Sequence, residues 1–265
     1  MMEDQVVVEE PLEIRVTYFP EGGAPTRTQS VAVTMRTPGH DFELAAGFLF
    51  GEGLIRGRGE IRKVTYCTGD APQEYNQVEV RLVPGASFDP SRLERNFYAT
   101  SSCGVCGKAS LEAVEIQGCS PLALDGPSIP LAVLPSLPHR LREAQPVFAR
   151  TGGLHAAALF RPDGELVAVR EDVGRHNAVD KLVGHRLLEG NGAEEGEPMI
   201  LVVSGRASFE VLQKALMARI PVVAAVGAPT SLAVELAREF RITLVGFVHR
   251  EGANVYAGEE RLVDR

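Results

Sequence analysis

The sequence predicts an α/β protein in which a smaller β-rich part precedes an α/β core. Three observations predict it. Beyond residue 165, short and uniformly apolar runs alternate with stretches whose apolar residues recur at helical spacing. That pattern indicates a largely parallel sheet covered on both faces. The first ninety residues instead carry β-branched or alternating runs separated by turn residues, the mark of half-buried strands. Between the halves, residues 118–138 are rich in proline and small side chains and read as a long connection.

The elements follow in order. Val6, Val7 and Val8, then runs 12–19 and 31–35, read as strands, and 61–66 and 77–83 repeat the pattern. One helix interrupts them: Asp41 is placed to cap it, and Leu44, Ala45, Phe48 and Leu49 follow at helical spacing. A helix is expected at 109–116 and a short one at 137–143. Strand 166–169 leads into a helix over 173–188 with Ala178, Val179, Leu182 and Val183 on one face. Strand 199–203 precedes a helix at 208–218, strand 222–226 precedes a helix at 229–240, and 242–248 closes the series. Residues 190–197 read as a polar loop. The expected parts are 1–95, β-rich with one helix; 96–138, a cysteine loop, short helix and connection; and 139–265, the α/β core.

Composition bounds the chemistry. A chain of 265 residues with 45% hydrophobic content can bury a sizeable core without disulfides. Its formal net charge of -8 disfavours non-specific phosphate binding, so no nucleic-acid partner is expected. An anionic small ligand would need a local basic or amide-lined pocket. No signal peptide or membrane span is visible, and four unevenly spaced cysteines suit a reducing cytoplasm. Close cysteines there usually mean metal binding or catalysis.

Cys103-Gly104-Val105-Cys106-Gly107-Lys108 holds half of the four cysteines at one local site. The flanking glycines let the backbone turn tightly and leave the thiols uncovered. The amides opening the expected helix, with Lys108, favour thiolate over thiol. Three chemistries remain open. A closed zinc site needs four ligands, and Cys67 and Cys119 do not form a second close pair. A dithiol redox centre is expected on an early strand-to-helix turn, whereas this pair follows a β-rich region. The third is a thiolate that carries sulfur as a persulfide. Cys67 and Cys119 read as ordinary half-buried thiols.

The second half carries further candidates. Residues 170–181, Arg-Glu-Asp-Val-Gly-Arg-His-Asn-Ala-Val-Asp-Lys, span a strand end and a helix start, where open α/β sheets bind ligands. Arg175 and His176 are candidates to line that site, Asp172 to cap the helix, and Asp180, one turn on, to orient the His176 ring. Thr151-Gly152-Gly153-Leu154-His155 sets a histidine after a glycine pair and before an Ala-rich run. Ser204-Gly205-Arg206-Ala207-Ser208 leaves a strand and opens a helix, an anion cradle to which Arg206 adds a fork of donors. It is too short for a Walker A loop, and no Gly-x-Gly-x-x-Gly fingerprint is present. Near the end, Phe247 can stack on a flat ring, Arg250 can hold phosphate, and Asn254 can read polar edges.

Taken together, these segments resemble the formate dehydrogenase accessory sulfurtransferase family, the FdhD-type sulfur carriers. The resemblance runs from Leu44-Ala45-Ala46-Gly47-Phe48-Leu49-Phe50-Gly51-Glu52-Gly53 through the Cys-Gly-Val-Cys-Gly loop, the Thr151 and Glu171 segments, Ser204-Gly205-Arg206 and Ala228-Pro229-Thr230-Ser231 to Asn254-Val255-Tyr256. It implies a cytidine-deaminase-like three-layer α/β/α core with an added β-rich part, as a homodimer. It implies a carrier that accepts sulfur from a cysteine desulfurase and passes it to the bis(molybdopterin guanine dinucleotide) molybdenum cofactor for formate dehydrogenase. Cys103 matches the persulfide position and Cys106 its partner. Phe247, Val248, His249, Arg250, Glu251 and Gly252 match the family's cofactor-binding segment. Gly205, Arg206, Arg175, His176 and His155 are the further candidates in the core, and no permanently bound metal is expected. The deaminase zinc signature is absent from the sequence, which argues against base deamination. Many members have Arg where this chain has His249, with Arg250 following.

Overall fold

The computed structural model describes residues 4–20, 24–67, 74–90, 119–124, 128–190 and 199–264. The Cys103/Cys106 loop and the helix expected at 109–116 lie outside the described residues, as do residues 191–198.

The N-terminal sheet contains β1 (Glu10–Tyr18), β2 (Arg27–Arg36), β3 (Ile61–Tyr66) and β4 (Gln77–Leu82), in the order β2-β1-β4-β3. Strict alternation decides its faces. Leu12, Ile14 and Val16 on β1 and Val78, Val80 and Leu82 on β4 are buried, because every second side chain points the same way. They pack with α1 (Asp41–Gly51), whose Leu44, Ala45, Ala46 and Leu49 belong to the same cluster.

The core sheet has six strands in the order β11-β10-β9-β8-β6-β7. They are β6 (His155–Phe160), β7 (Leu166–Asp172), β8 (Ile200–Val203), β9 (Val222–Ala225), β10 (Thr243–His249) and β11 (Gly252–Ala257). Alternation again sorts the side chains into two cores. Ala157, Leu159, Leu201, Val203, Val223, Ala225 and Leu244 share one cluster with α4 (Arg175–Leu188), α5 (Phe209–Met217) and α6 (Ser231–Glu239). Ala156, Ala158, Phe160, Ile200, Val202, Val222, Ala224 and Val245 pack instead with Leu134, Leu137 and Leu141. Those last side chains come from the 3₁₀ turn Leu131–Ser136 and from α2 (Leu137–Glu143), which leads to α3 (Pro146–Thr151). Each Val, Leu, Ile or Phe side chain so buried contributes about 1.5–3 kcal/mol. The result is a three-layer α/β/α core with a β-rich N-terminal part, and β5 (Ile129–Pro130) pairs with β12 (Leu262–Val263) beside it.

The two parts are joined where α1 crosses α4. A Cβ at Gly47 would lie 1.9 Å from the Asp180 carbonyl oxygen, and one at Gly184 would lie 1.8 Å from that of Glu43. Two glycines, one per helix, let the backbones touch.

The structure departs from the sequence reading in four places. The core sheet is mixed: only β8, β9 and β10 run parallel, while β6, β7 and β11 pair antiparallel with their neighbours. The Ala-rich run after His155, which the sequence pattern left without an element, is the interior strand β6, because burial between two layers outweighs alanine's helix preference. Val6, Val7 and Val8 lie outside the strands, and β1 begins at Glu10. Asp41 does not cap α1; it is the first helical residue, and its buried carboxylate accepts from Arg36 at 3.2 and 3.0 Å.

Candidate functional site

Strand direction gathers the candidates at one edge. β8, β9 and β10 run parallel, so their carboxyl ends coincide. β6 opposes β8 and β7 opposes β6, which brings His155 and Asp172, paired with each other, to the same edge. The loops leaving the strands are zipped together by backbone hydrogen bonds. Val226 N–H donates to Val203 O (3.1 Å), Gly227 N–H to Gly205 O (3.0 Å), and Phe247 N–H to Gly227 O (3.1 Å). The approach is so close at Gly227 that a Cβ would meet Gly205 O at 2.9 Å. Ser204 Oγ adds a side-chain link by accepting from Ala156 N–H at 2.9 Å.

His155, Gly205 and Arg175 are neighbours: a Cβ at Gly205 would lie 3.4 Å from His155 Nδ1 and 3.9 Å from Arg175 Cδ. Burial, and then the Arg175 charge, hold the His155 imidazole below its usual range. Burial, again followed by Arg175, pushes His176 down to about 4. Both rings are therefore neutral at pH 7 and able to accept as well as donate. Arg175 Nε is buried and has no hydrogen-bond partner among the described residues. An unmet donor of a permanently charged group at a strand-end edge is suited to an anion. Arg206, which follows Gly205 on the loop that opens α5, is exposed.

The C-terminal segment lies at the same edge. Phe247 has φ 51, the left-handed region that a bulky residue rarely enters, and its ring is 45% exposed. Such strain persists where the surroundings impose it, and it concentrates at functional sites. Here a register shift between Gly246 and His249 bulges the strand and turns the ring outward. His249, Arg250 and Glu251 are exposed at the β10–β11 turn, where His249 Nδ1 accepts from Glu251 N–H at 3.2 Å and Gly252 pairs with His249. Val248, the buried member of this segment, packs in the second core.

The dense stretch 170–181 divides between the site and the framework. Asp172 is fully buried; it pairs with Lys181 at 2.6 Å and accepts from Gly174 N–H (2.8 Å), Asn177 Nδ2 (3.1 Å) and Thr37 N–H (3.2 Å). Asn177 also donates to Met35 O at 2.8 Å, and Arg170 pairs with Glu43. These residues fasten the core to β2 and α1. Asp180 does not orient His176. It is buried against Lys214 at 2.7 Å, because helical spacing turns it toward α5. The His176 ring instead meets Ser208 Oγ at 3.1 Å and Glu210 at 3.8 Å. Ser208, at the N-cap of α5, makes no cap hydrogen bond.

Beside the edge opens a cleft of about 490 Å³, lined by His155, Ser204 and Val226 from the sheet and by Arg142, Gln145 and Phe148 from α2 and α3. Sequence reasoning passed over these last three. Arg142 falls in the short helix expected at 137–143, Gln145 and Phe148 fall in no expected element, and no motif marks a buried glutamine. Cys67 and Cys119 are half-buried, and burial raises both thiols above their usual range. No group of three or more metal-ligating side chains occurs among the described residues. No helix among them is long and apolar enough to cross a membrane.

Comparison with known proteins adds ancestry to this geometry. A family model described as "FdhD/NarQ family" matches residues 7–263. A protein of Streptomyces avermitilis named "Sulfur carrier protein FdhD" is 55% identical over 99% of this chain and 90% of its own length. One of the same name from Mycobacterium tuberculosis is 51% identical over 98% of this chain and 92% of its own. Among solved structures, a putative formate dehydrogenase accessory protein from Desulfotalea psychrophila superposes with a TM-score of 0.72 at 26% identity, covering 99% of this chain and 92% of that one.

Proposed function

The chain belongs to the FdhD/NarQ family, and from that premise we propose that it carries sulfur from a cysteine desulfurase to the molybdenum cofactor of formate dehydrogenase. The observation that carries the reading is the coexistence in one chain of the Cys103/Cys106 pair and a sheet edge suited to an anionic ligand.

In the first step the Cys103 thiolate attacks the outer sulfur of the desulfurase persulfide. A new S–S bond forms on Cys103, the old one breaks, and the desulfurase cysteine leaves as thiolate. In the second step the Cys106 thiolate attacks the inner sulfur of the Cys103 persulfide. The outer sulfur leaves as hydrosulfide at the cofactor, the two cysteines supply its two electrons, and a Cys103–Cys106 disulfide remains. A cellular dithiol then resets the pair.

The bis(molybdopterin guanine dinucleotide) cofactor is the substrate of this transfer. Arg175 and Arg206 offset its phosphates, His155 and His176 remain neutral beside them, and Phe247 offers a ring for stacking. A local cradle of this kind is needed because the chain as a whole is acidic, at -8. A homodimer in the cytoplasm belongs to the same reading.

Intact mass after incubation with a desulfurase and cysteine tests it. The expected result is a gain of one sulfur atom that a reducing agent removes, retained in Cys106→Ala and lost in Cys103→Ala. No gain, or an undiminished gain in Cys103→Ala, refutes the persulfide assignment.

A further inference from the structure

The N-terminal sheet buries one face against α1 and concentrates positive charge on the other. Leu12, Ile14 and Val16 of β1 and Val78 and Val80 of β4 pack with α1, so the alternate side chains of both strands point away from it. At the Tyr18 end of β1 that second face holds a cavity of about 480 Å³, lined by Thr17, Phe19 and Thr28 and by the cations Arg62, Lys63 and Arg81. Lys63 of β3 stands directly opposite Arg81 of β4. Like charges so placed repel and destabilise the pairing. A register shift between Ile61 and Lys63 crowds the site further: the bulge leaves Arg62 and Lys63, neighbours in sequence, both exposed and both on the cavity. Glu79 is the one carboxylate in the lining among the described residues. It is already engaged, since it pairs with Arg81 and accepts from Thr17 Oγ1 at 2.9 Å. Arg62 and Lys63 make no ion pair among the described residues. On a chain of net charge -8, this cluster reverses the sign of the local field.

The lining distinguishes among anions. A nucleic-acid strand gains from long rows of cations, whereas this cluster is short, sits on an acidic molecule and encloses the Glu79 carboxylate, which repels a phosphate. A peptide suits it better. Spaced carboxylates meet Arg62 and Lys63, and backbone N–H groups can donate to the hydroxyls of Thr17 and Thr28, which lie 2.6 Å apart. The Phe19 ring, 38% exposed, adds apolar contact. We propose that this face is a docking surface for an acidic segment of a partner protein, in which Arg62 and Lys63 take its carboxylates and Phe19 packs on its apolar part. The surface is separate from the anion-binding edge of the core. Met35, which accepts from Asn177 near that edge, and Thr28 are both on β2, about 23 Å apart at the usual strand rise. The inference holds whether or not the chain carries sulfur.

Fluorescence anisotropy on the full chain tests it, with a labelled peptide of about eight glutamates and one phenylalanine as the probe. The wild type should bind this probe at least about tenfold more tightly than the same peptide with glutamine in place of glutamate. Arg62→Glu combined with Lys63→Glu, at two exposed positions, should weaken the probe by about tenfold or more and leave the unfolding midpoint in place. Arg150→Glu combined with Arg238→Glu, at exposed positions of the core, should change its affinity by less than about twofold. No binding by the wild type, an affinity preserved in the Arg62/Lys63 variant, or an equal loss in the core variant overturns the docking surface and leaves the two cations as guards of the β3 edge. A single-stranded oligonucleotide of the same charge that binds more tightly than the peptide overturns it in favour of nucleic acid. A dimer that dissociates in the Arg62/Lys63 variant, measured by sedimentation, overturns it in favour of a second copy of this chain.

Discussion

At the scale of single residues, the site depends on histidines kept neutral by burial beside a cation. His176 shows it most clearly. An unfolded imidazole takes its proton near pH 6.5, whereas the folded one holds out to about 4. Between those values the unfolded state binds more protons, so stability falls as the pH drops through that window. The loss should reach at most about 3 kcal/mol, and His176→Gln should remove it. Urea titrations of both proteins at pH 7 and pH 4.5 would measure this, and an equal acid loss in His176→Gln would refute it. Little of this was legible beforehand. The sequence places Asp180 one turn from His176, but helix spacing alone does not say which of two neighbouring elements a polar side chain meets, and Lys214 of α5 claims it. Phe247 shows the converse. It was legible as an exposed aromatic at a strand end, while its left-handed backbone follows from a bulge that only strand pairing reveals.

At the scale of elements, the crossing of α1 and α4 matters most. Gly47 and Gly184 leave no room for a methyl group: the oxygen each would meet belongs to the opposite backbone, which cannot rotate aside. Gly47→Ala or Gly184→Ala should therefore force the helices apart and cost about 3 kcal/mol or more. Denaturant unfolding would show it as a lowered midpoint. A loss below about 1 kcal/mol in both variants would refute the close backbone contact at this crossing. Apolar spacing alone located both helices within two residues, because amphipathic periodicity is a local property. Nothing local announces that a glycine inside a helix marks a contact. The β6 strand was missed for a related reason: His155-Ala-Ala-Ala-Leu-Phe160 is apolar on both faces, and a run so short and uniform does not distinguish a buried strand from a buried helix.

At the scale of the whole molecule, the two sheets are fastened by polar groups at the edge of the site. Asp172 and Lys181 are 0% and 1% exposed, and between them they reach the backbone of Thr37 through both its N–H and its carbonyl. Lys181→Ala would strand the Asp172 carboxylate in a buried place and cost about 3–5 kcal/mol. Because the same tie positions the start of α4, the N-terminal sheet and the core should still unfold together. Circular dichroism and tyrosine fluorescence, followed in one denaturation series, would test both statements. A loss within about 1 kcal/mol of zero, or separated transitions in the wild type, would refute the coupling.

The sequence by itself determined the order and type of most elements, the presence of a close cysteine pair and the family, since periodicity, spacing and motif content are carried along the chain. Tertiary structure alone decided which chemistry-bearing residues serve the site. Arg175 and His176 face the edge, while Asp172, Asn177 and Lys181 from the same short stretch turn inward to hold β2. Gln145, Arg142 and Phe148 enter from a segment without any motif. The physical reason is that a pattern along the chain encodes which face is apolar, whereas the partner of a buried polar group is supplied by another element, and which element that is depends on strand direction and helix crossing.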